Sequence, residues 1–96
     1  MTSKQRKVLQ AIASKTEPIA QIGKGGIGDN MLASLSDALE KRELIKINVL
    51  NNSEDSAKEL SAEIAKLLNA ECVIAIGRKI VLYRRSQRKD VEHIEF

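Results

Sequence analysis

The spacing of apolar residues along the chain predicts three helices. The first spans about residues 3–16, the second about 30–42 and the third about 53–69. Apolar side chains recur every three or four residues in each of them, which is the period of a helix with one buried side. The helical residues expected to be buried are Val8, Leu9, Ile12, Met31, Leu32, Leu35, Ala38, Leu39, Ala57, Leu60, Ile64, Leu67 and Leu68.

Polar residues that commonly cap helices stand where these helices would begin. Thr2 or Ser3 can cap the first, Asp29 or Asn30 the second, and Ser53 the third, because a side-chain oxygen at this position accepts a free backbone N–H. Pro18 blocks continuation of the first helix.

Short apolar runs between the helices predict four strands, at residues 19–22, 44–50, 72–76 and 79–84. The last two form a hairpin around a tight turn at Gly77-Arg78. The resulting order, α-β-α-β-α-β-β, predicts an α/β chain of the two-layer α+β kind, with the helices packed on one four-stranded mixed sheet. The strand residues expected in its core are Ile45, Ile47, Val49, Ile74, Ile76 and Leu82.

A chain of 96 residues fits one domain, and we expect it to span residues 1–85, with a polar tail at residues 86–96. Tyr83 and Phe96 are the only aromatic residues, so the core must be aliphatic. One cysteine, Cys72, cannot form an internal disulfide, and with His93 it cannot complete a zinc site. We expect no cofactor, no small-molecule substrate, no membrane contact and a cytoplasmic location.

Charge is distributed unevenly along this basic chain, whose net charge is +3. Basic residues outnumber acidic ones in residues 1–28 and 71–89, whereas acidic residues prevail in 29–70 and 90–96. If the two basic segments meet in the fold, they form one surface suited to a polyanion.

The glycine loop at residues 23–26, Gly-Lys-Gly-Gly, follows a predicted strand and precedes a predicted helix. Glycines allow a phosphate to approach the backbone closely, helix N-termini attract anions, and Lys24 adds a positive charge. The alternative is an ordinary flexible connection. A nucleotide-binding P-loop fits poorly, because no Lys-Ser/Thr pair follows the glycines.

Basic residues around this loop complete the candidate site for RNA. Alone, each of them is an ordinary solvated charge, but together they form a one-sided basic surface. The full set of predicted site residues is Gly23, Lys24, Gly25, Gly26, Lys4, Lys7, Lys15, Lys46, Arg78, Lys79 and Arg84. No set of nucleophile and base is visible, so we expect no enzymatic activity.

Five short motifs resemble the YhbY family, also called the CRM domain (chloroplast RNA splicing and ribosome maturation). They are Ser3-Lys4-Gln5-Arg6, Ile22-Gly23-Lys24-Gly25-Gly26, Glu43-Leu44-Ile45-Lys46, Ile76-Gly77-Arg78 and Val81-Leu82-Tyr83-Arg84. A histidine commonly precedes the second-strand motif in the family, and Arg42 stands there in this chain.

The resemblance implies a fold similar to the C-terminal domain of translation initiation factor three. It also implies a protein that binds structured RNA through the glycine loop, and a ribosome-assembly role on the rRNA of the large-subunit precursor. Two other hypotheses stay open from the residues alone. The basic face could dock an acidic partner protein as an adaptor, or the loop could serve a nucleotide-using enzyme.

Overall fold

Three helices and four strands follow one another in the predicted order. The structure is a computed structural model that describes residues 1–96. Its elements are α1 (Ser3–Ser14), β1 (Ala20–Ile22), α2 (Asp29–Arg42), β2 (Leu44–Val49), α3 (Ala57–Leu68), β3 (Glu71–Ile76) and β4 (Lys79–Tyr83). None of the three helices has the length and hydrophobicity needed to span a bilayer.

The helix starts agree with the sequence only in part. Thr2 caps α1 as predicted, because its Oγ1 accepts from the Gln5 N–H at 3.1 Å. Ser53 does not cap α3, which begins later behind Ser56. The N-cap of α2 is Gly28 rather than Asp29 or Asn30, so no side chain caps that helix.

The sheet is mixed, as predicted, with strand order β1-β2-β4-β3. β1 runs parallel to β2, whereas β4 is antiparallel to both β2 and β3. Consequently β1 and β2 finish at the same end of the sheet at which β4 begins. We call this the glycine-loop end, defined by residues 23–26, 50–52 and 77–78. At the opposite end, called the Glu43 end, β2 begins and β4 finishes.

Helices cover both faces of the sheet, so the architecture has three layers rather than the two expected. On the α2/α3 face, Ile45, Ile47 and Leu82 pack with Leu35 of α2 and Ile64 of α3. On the other face, called the α1 face, a separate apolar cluster joins α1 to the sheet; its members are Leu9, Ala13, Leu44, Val73, Val81 and Tyr83. The two-layer prediction failed because it did not count the apolar strand residues that point to the α1 face. These residues must also be shielded from water, and α1 shields them.

The buried side of α1 is narrower than the sequence predicted. Leu9 and Ala13, one helical turn apart, lie against the sheet. Val8 and Ile12 are more than one-third exposed. The helix contacts the sheet through Leu9 and Ala13, so the neighbouring side that carries Val8 and Ile12 faces solvent.

An irregularity in β3 moves two predicted core residues to the other face. Ile45, Ile47, Val49 and Leu82 are buried as expected, but Ile76 is 68% exposed. Cys72 pairs with Leu82 and Ile74 with Val81, which leaves Val73 as an extra residue. Such a bulge reverses the side-chain alternation beyond it. Ile74 and Ile76 therefore project from the α1 face rather than toward α2 and α3.

The polar segment at residues 86–96 folds back onto the domain at the Glu43 end. The Ser86 and Ile94 N–H groups each donate to a carboxylate oxygen of Glu43 at 2.7 Å. Phe96 meets Tyr83 edge to face, with ring centroids 4.8 Å apart. The segment has no regular secondary structure, but these contacts anchor its two ends.

Candidate nucleic-acid interface

The glycine loop is a tight turn at the end of β1. The Gly26 N–H donates to the Gly23 carbonyl at 3.0 Å, which closes the turn around Lys24 and Gly25. Gly26 has φ +66°, a left-handed conformation that side chains with a Cβ adopt at a cost. The Lys24 side chain at the tip is exposed. The turn thus presents a positive charge on a backbone bare of other side chains.

The glycines differ in what surrounds them. A Cβ on Gly23 would lie 3.0 Å from Oδ1 of Asn52 and 3.3 Å from Leu50, so Gly23 is held against the segment that follows β2. A Cβ on Gly25 would meet no atom within 4 Å. Gly23 therefore fixes the base of the loop, while Gly25 leaves open space for a ligand.

The start of α2 lies near the loop without directly continuing it. Ile27 and Gly28 separate the turn from Asp29, the first helical residue. Because Gly28 has no side chain, no side-chain cap accepts a hydrogen bond from the first backbone N–H groups of the helix. Asp29 adds a negative charge in the first turn, which weakens the attraction for an anion. The sequence-based picture of a loop opening directly into a helix N-terminus is corrected in this respect.

The hairpin turn between β3 and β4 joins the loop at the same end of the sheet. The Leu50 N–H donates to the Ile22 carbonyl at 2.7 Å, and the Val49 N–H donates to the Arg78 carbonyl at 2.7 Å. These bonds place the end of β1 and the start of β4 on either side of β2. Two strand spacings, about 10 Å, separate them. The structure thus brings Lys24 and Arg78, both exposed, to one end of the molecule.

Two more of the predicted lysines project from the α1 face. Lys79 continues the sequence from Arg78, and Lys46 lies on β2 with its Nζ 3.4 Å from the Ala13 carbonyl. That carbonyl belongs to the last turn of α1, where a positive charge is favoured. Lys46 and Lys79 line one shallow cavity beside α1.

The lysines of α1 are exposed, and no contact joins them to the glycine loop. Lys4 and Lys7 lie in its N-terminal half, on the side turned away from Leu9. Lys15 follows the helix as its C-cap, two residues after Ala13, whose carbonyl lies beside the Lys46 side chain. They extend the basic character of the α1 face.

Arg84 is a predicted site residue whose guanidinium is held within the fold by several hydrogen bonds. It lies beyond β4 at the Glu43 end, and its guanidinium donates to the Leu68 carbonyl at 2.8 Å and the Ser36 carbonyl at 3.0 Å. It also pairs with Glu40 at 3.2 Å. These contacts tie α2, α3 and β4 together, so the expected role of Arg84 at the glycine loop is corrected to a structural one.

Glu43, which sequence reasoning passed over, organises that opposite end. Its carboxylate is fully buried, and it accepts from Ser86, Ile94 and the Nδ1 side of His93, the last at 2.6 Å. Burial raises the pKa of Glu43, but the hydrogen bonds from His93, Ser86 and Ile94 outweigh it and hold the pKa below its ordinary value. Its φ of +65° is rare for a residue with a side chain. No periodicity signals such a residue.

Other chemistry-bearing residues have structural surroundings. Ser61 Oγ lies 2.7 Å from the Cys72 sulfur between α3 and β3. His93 is only about one-third exposed because it packs on Glu43. No group of three or more His, Cys, Asp or Glu side chains lies close enough together to hold a metal ion. A cavity of about 900 Å³ lies beside the terminal segment and is remote from the glycine loop.

A four-stranded mixed sheet covered by three helices, with a glycine loop and exposed basic residues at one end, defines the class of small α+β domain to which this chain belongs. Residues 1–84 match the protein family described as "CRS1 / YhbY (CRM) domain". The chain belongs to this family, as the motifs predicted.

Several relatives match nearly the whole chain. "Probable RNA-binding protein YqeI" of Bacillus subtilis is 41% identical over 93 residues, which cover 96% of this chain and 97% of that protein. An "RNA-binding protein" of Haemophilus influenzae is 28% identical over 92 residues, covering 96% and 93%. A solution structure from Staphylococcus aureus, described as a candidate RNA-binding protein, is 44% identical with a TM-score of 0.76. The match covers 98% of this chain and 99% of that one. The likeness to translation initiation factor three stays a prediction.

Proposed function

We propose that this protein binds structured RNA through the glycine-loop end of its sheet and does not act as an enzyme. The observation that carries the proposal is the joint position of the open turn at Gly25, the exposed Lys24 and the exposed Arg78 at one end of the fold. Family membership supports it, because relatives over nearly the full length are named for RNA binding.

The RNA contact would be made mainly to phosphates. Lys24 and the bare backbone of residues 23–26 grip one phosphate, and Arg78 and Lys79 hold the strand further along. Lys46, Lys15, Lys7 and Lys4 extend the attraction over the α1 face. Contacts of this kind release counterions and position a strand without selecting its sequence.

The further proposal is that the RNA is rRNA in a precursor of the large ribosomal subunit, so that the protein acts in the cytoplasm as an assembly factor. The support is the family resemblance, since the chain matches bacterial relatives over 97% and 93% of their own length. Crosslinking in cells followed by sequencing of the bound RNA tests this step, and recovery of other RNA classes in place of rRNA would refute it.

Gly25 offers a matched pair of variants for testing the loop. Gly25→Asp and Gly25→Asn add side chains of nearly the same shape into open space, and they differ in charge. With ribosomal RNA fragments in fluorescence anisotropy, Gly25→Asp should bind about tenfold more weakly than Gly25→Asn, because a carboxylate repels the phosphate. Thermal melting should find both variants folded. Equal RNA affinity of the two folded variants would show that the loop is not part of the RNA interface.

The adaptor hypothesis predicts a different result. A basic face made for an acidic protein would bind RNA fragments weakly, with no difference between the two Gly25 variants. Salt-dependent RNA binding that is weaker for Gly25→Asp than for Gly25→Asn would therefore support RNA binding over the adaptor hypothesis.

A further inference from the structure

A shallow groove lies on the α1 face of the sheet, beside the C-terminal half of α1. Two rows of paired residues form this part of the sheet: Lys46 with Val81 and Ile74, and Asn48 with Lys79 and Ile76. α1 packs over Leu44, Tyr83, Val73 and Val81. It leaves the β3 ends of these rows, at Ile74 and Ile76, less covered. Ile76, at 68% exposure, shows how open the outer row is.

The groove has an apolar floor and a positive rim. It encloses about 340 Å³, near the lower end of the volumes typical of small-molecule sites. Ile74, Ile76 and Val81 form the floor, while Lys46 and Lys79 line its sides and Gln10 faces it from α1. None of its eight lining residues is acidic. The size suits one flat group rather than an extended segment.

This combination of surfaces matches an unpaired nucleotide. The two flat sides of a nucleobase can stack against apolar side chains when no aromatic residue is available. The Gln10 amide provides both a donor and an acceptor for the base edge, and a lysine on each side can meet the phosphates. A nucleobase therefore uses the floor and the rim together.

The position of the groove favours RNA over an apolar protein segment. Lys79 directly follows Arg78, so the groove begins where the glycine-loop end stops. A strand held at Lys24 and Arg78 reaches Ile76 and Ile74 by continuing over the hairpin. An apolar peptide would fill the floor but would leave the Lys79 ammonium group without a partner and Lys46 with only the Ala13 carbonyl.

We propose that this groove holds the base of one unpaired nucleotide, next to the phosphate clamp at the glycine loop. The inference rests on the proposed function, since it adds a base-binding position to an RNA interface. It also supplies a means of contacting bases in a chain without an exposed aromatic platform. The bound RNA would then contain a bulge, loop or end, where bases are free to leave the helix.

The test compares two probes of equal length, a short oligoadenylate and an abasic ribose-phosphate chain. Ile76→Ser removes an exposed part of the floor, and Leu67→Ser makes a matched change at an exposed leucine on α3, across the sheet. Anisotropy should find oligoadenylate bound about three- to tenfold more weakly by Ile76→Ser. The abasic chain should bind this variant and the parent alike, and Leu67→Ser should behave as the parent with both probes.

A fluorescent base provides a second readout. With 2-aminopurine inside the oligoadenylate, saturation by the parent or by Leu67→Ser should change its emission, and saturation by Ile76→Ser should change it less. If both probes bind equally well and Ile76→Ser affects neither, the groove holds no base, while the phosphate clamp stands. If neither probe binds the parent, the proposed function and this inference both fail.

Discussion

Arg78 and Arg84 stand at the two ends of β4, yet their guanidinium groups meet different surroundings. Arg78 is exposed at the glycine-loop end, beside an open turn. Arg84 is half-buried at the Glu43 end and donates to carbonyls of two helices. The Arg78 guanidinium therefore has free bonding capacity, whereas the Arg84 guanidinium is occupied within the chain.

The contrast extends beyond the arginines. Both carboxylate oxygens of Glu43 accept hydrogen bonds from the terminal segment, as expected of a buried charge. The glycine loop instead has one internal bond across its turn. We infer that the Glu43 end holds the fold together and that the glycine-loop end is available to a ligand. The predictions below test this division, from the largest expected effect to the smallest.

The largest effect is expected for Glu43→Ala. The variant leaves the N–H groups of Ser86 and Ile94 without acceptors in a buried place, which should lower the free energy of unfolding by about 2–5 kcal/mol. Chemical denaturation measures this change. Glu92→Ala, at an exposed glutamate of the same segment, is the control and should change stability little. Similar losses in the two variants would show that Glu43 is not the anchor.

The next effect concerns Arg84→Ala. The loss of bonds to Leu68 and Ser36 should cost about 1–3 kcal/mol of stability, whereas Arg85→Ala, at an exposed neighbour, should cost little. Arg78→Ala should show the reverse behaviour. It should melt like the parent and reduce the dependence of RNA binding on salt by about 0.7 log units per log unit of salt, which corresponds to one phosphate contact. If folded Arg84→Ala also showed an altered salt dependence of RNA binding, the proposed division between the two ends would be wrong.

The pH dependence of stability provides a prediction for the Glu43 carboxylate. Because the pKa of Glu43 is lowered on folding, its contribution is fully present above its ordinary value of 4.5 and is lost as pH falls through the folded value. The parent should therefore lose stability below pH 4.5 more steeply than Glu43→Gln, which has no charge to lose. Asp90, whose pKa is lowered by its bond from Arg88, titrates in both and cancels in the comparison. Parallel stability curves for the two proteins would contradict the assignment.

The smallest effect separates two glycines of the loop. Gly26→Ala should cost about 1 kcal/mol, because φ of +66° strains a residue with a Cβ. Gly25→Ala should be nearly neutral, since its Cβ enters open space. Thermal melting distinguishes them, and equal melting temperatures would mean that the turn differs from the one described.

The sequence predicted most of the fold because helical and strand periods repeat over many residues. The element order and the alternation in β2 followed from such repeats. The position of Ile76 did not, since one extra residue at Val73 reverses the pattern beyond it. The third layer was missed because Leu44, Val81 and Tyr83 were not considered as a second buried set.

The candidate site was predicted less completely. The glycine motif located the loop, and Arg78 and Lys79, which lie at or next to the same end of the sheet, were also among the predicted site residues. Residue type alone could not separate Arg78 from Arg84, because that difference depends on carbonyl groups brought near by α2 and α3. The anchoring role of Glu43 was not predicted, although this residue opens one of the family motifs, since its partners lie in a polar segment about 50 residues away in sequence.

An RNA titration followed by backbone amide NMR tests the division between the two ends most directly. We predict that a ribosomal RNA fragment shifts the amide signals of residues 23–26 and 77–79 at the glycine-loop end. Signals of Glu43, Arg84 and Ile94 at the other end should stay in place. Shifts concentrated at the Glu43 end, with the glycine-loop signals unchanged, would contradict the proposed interface.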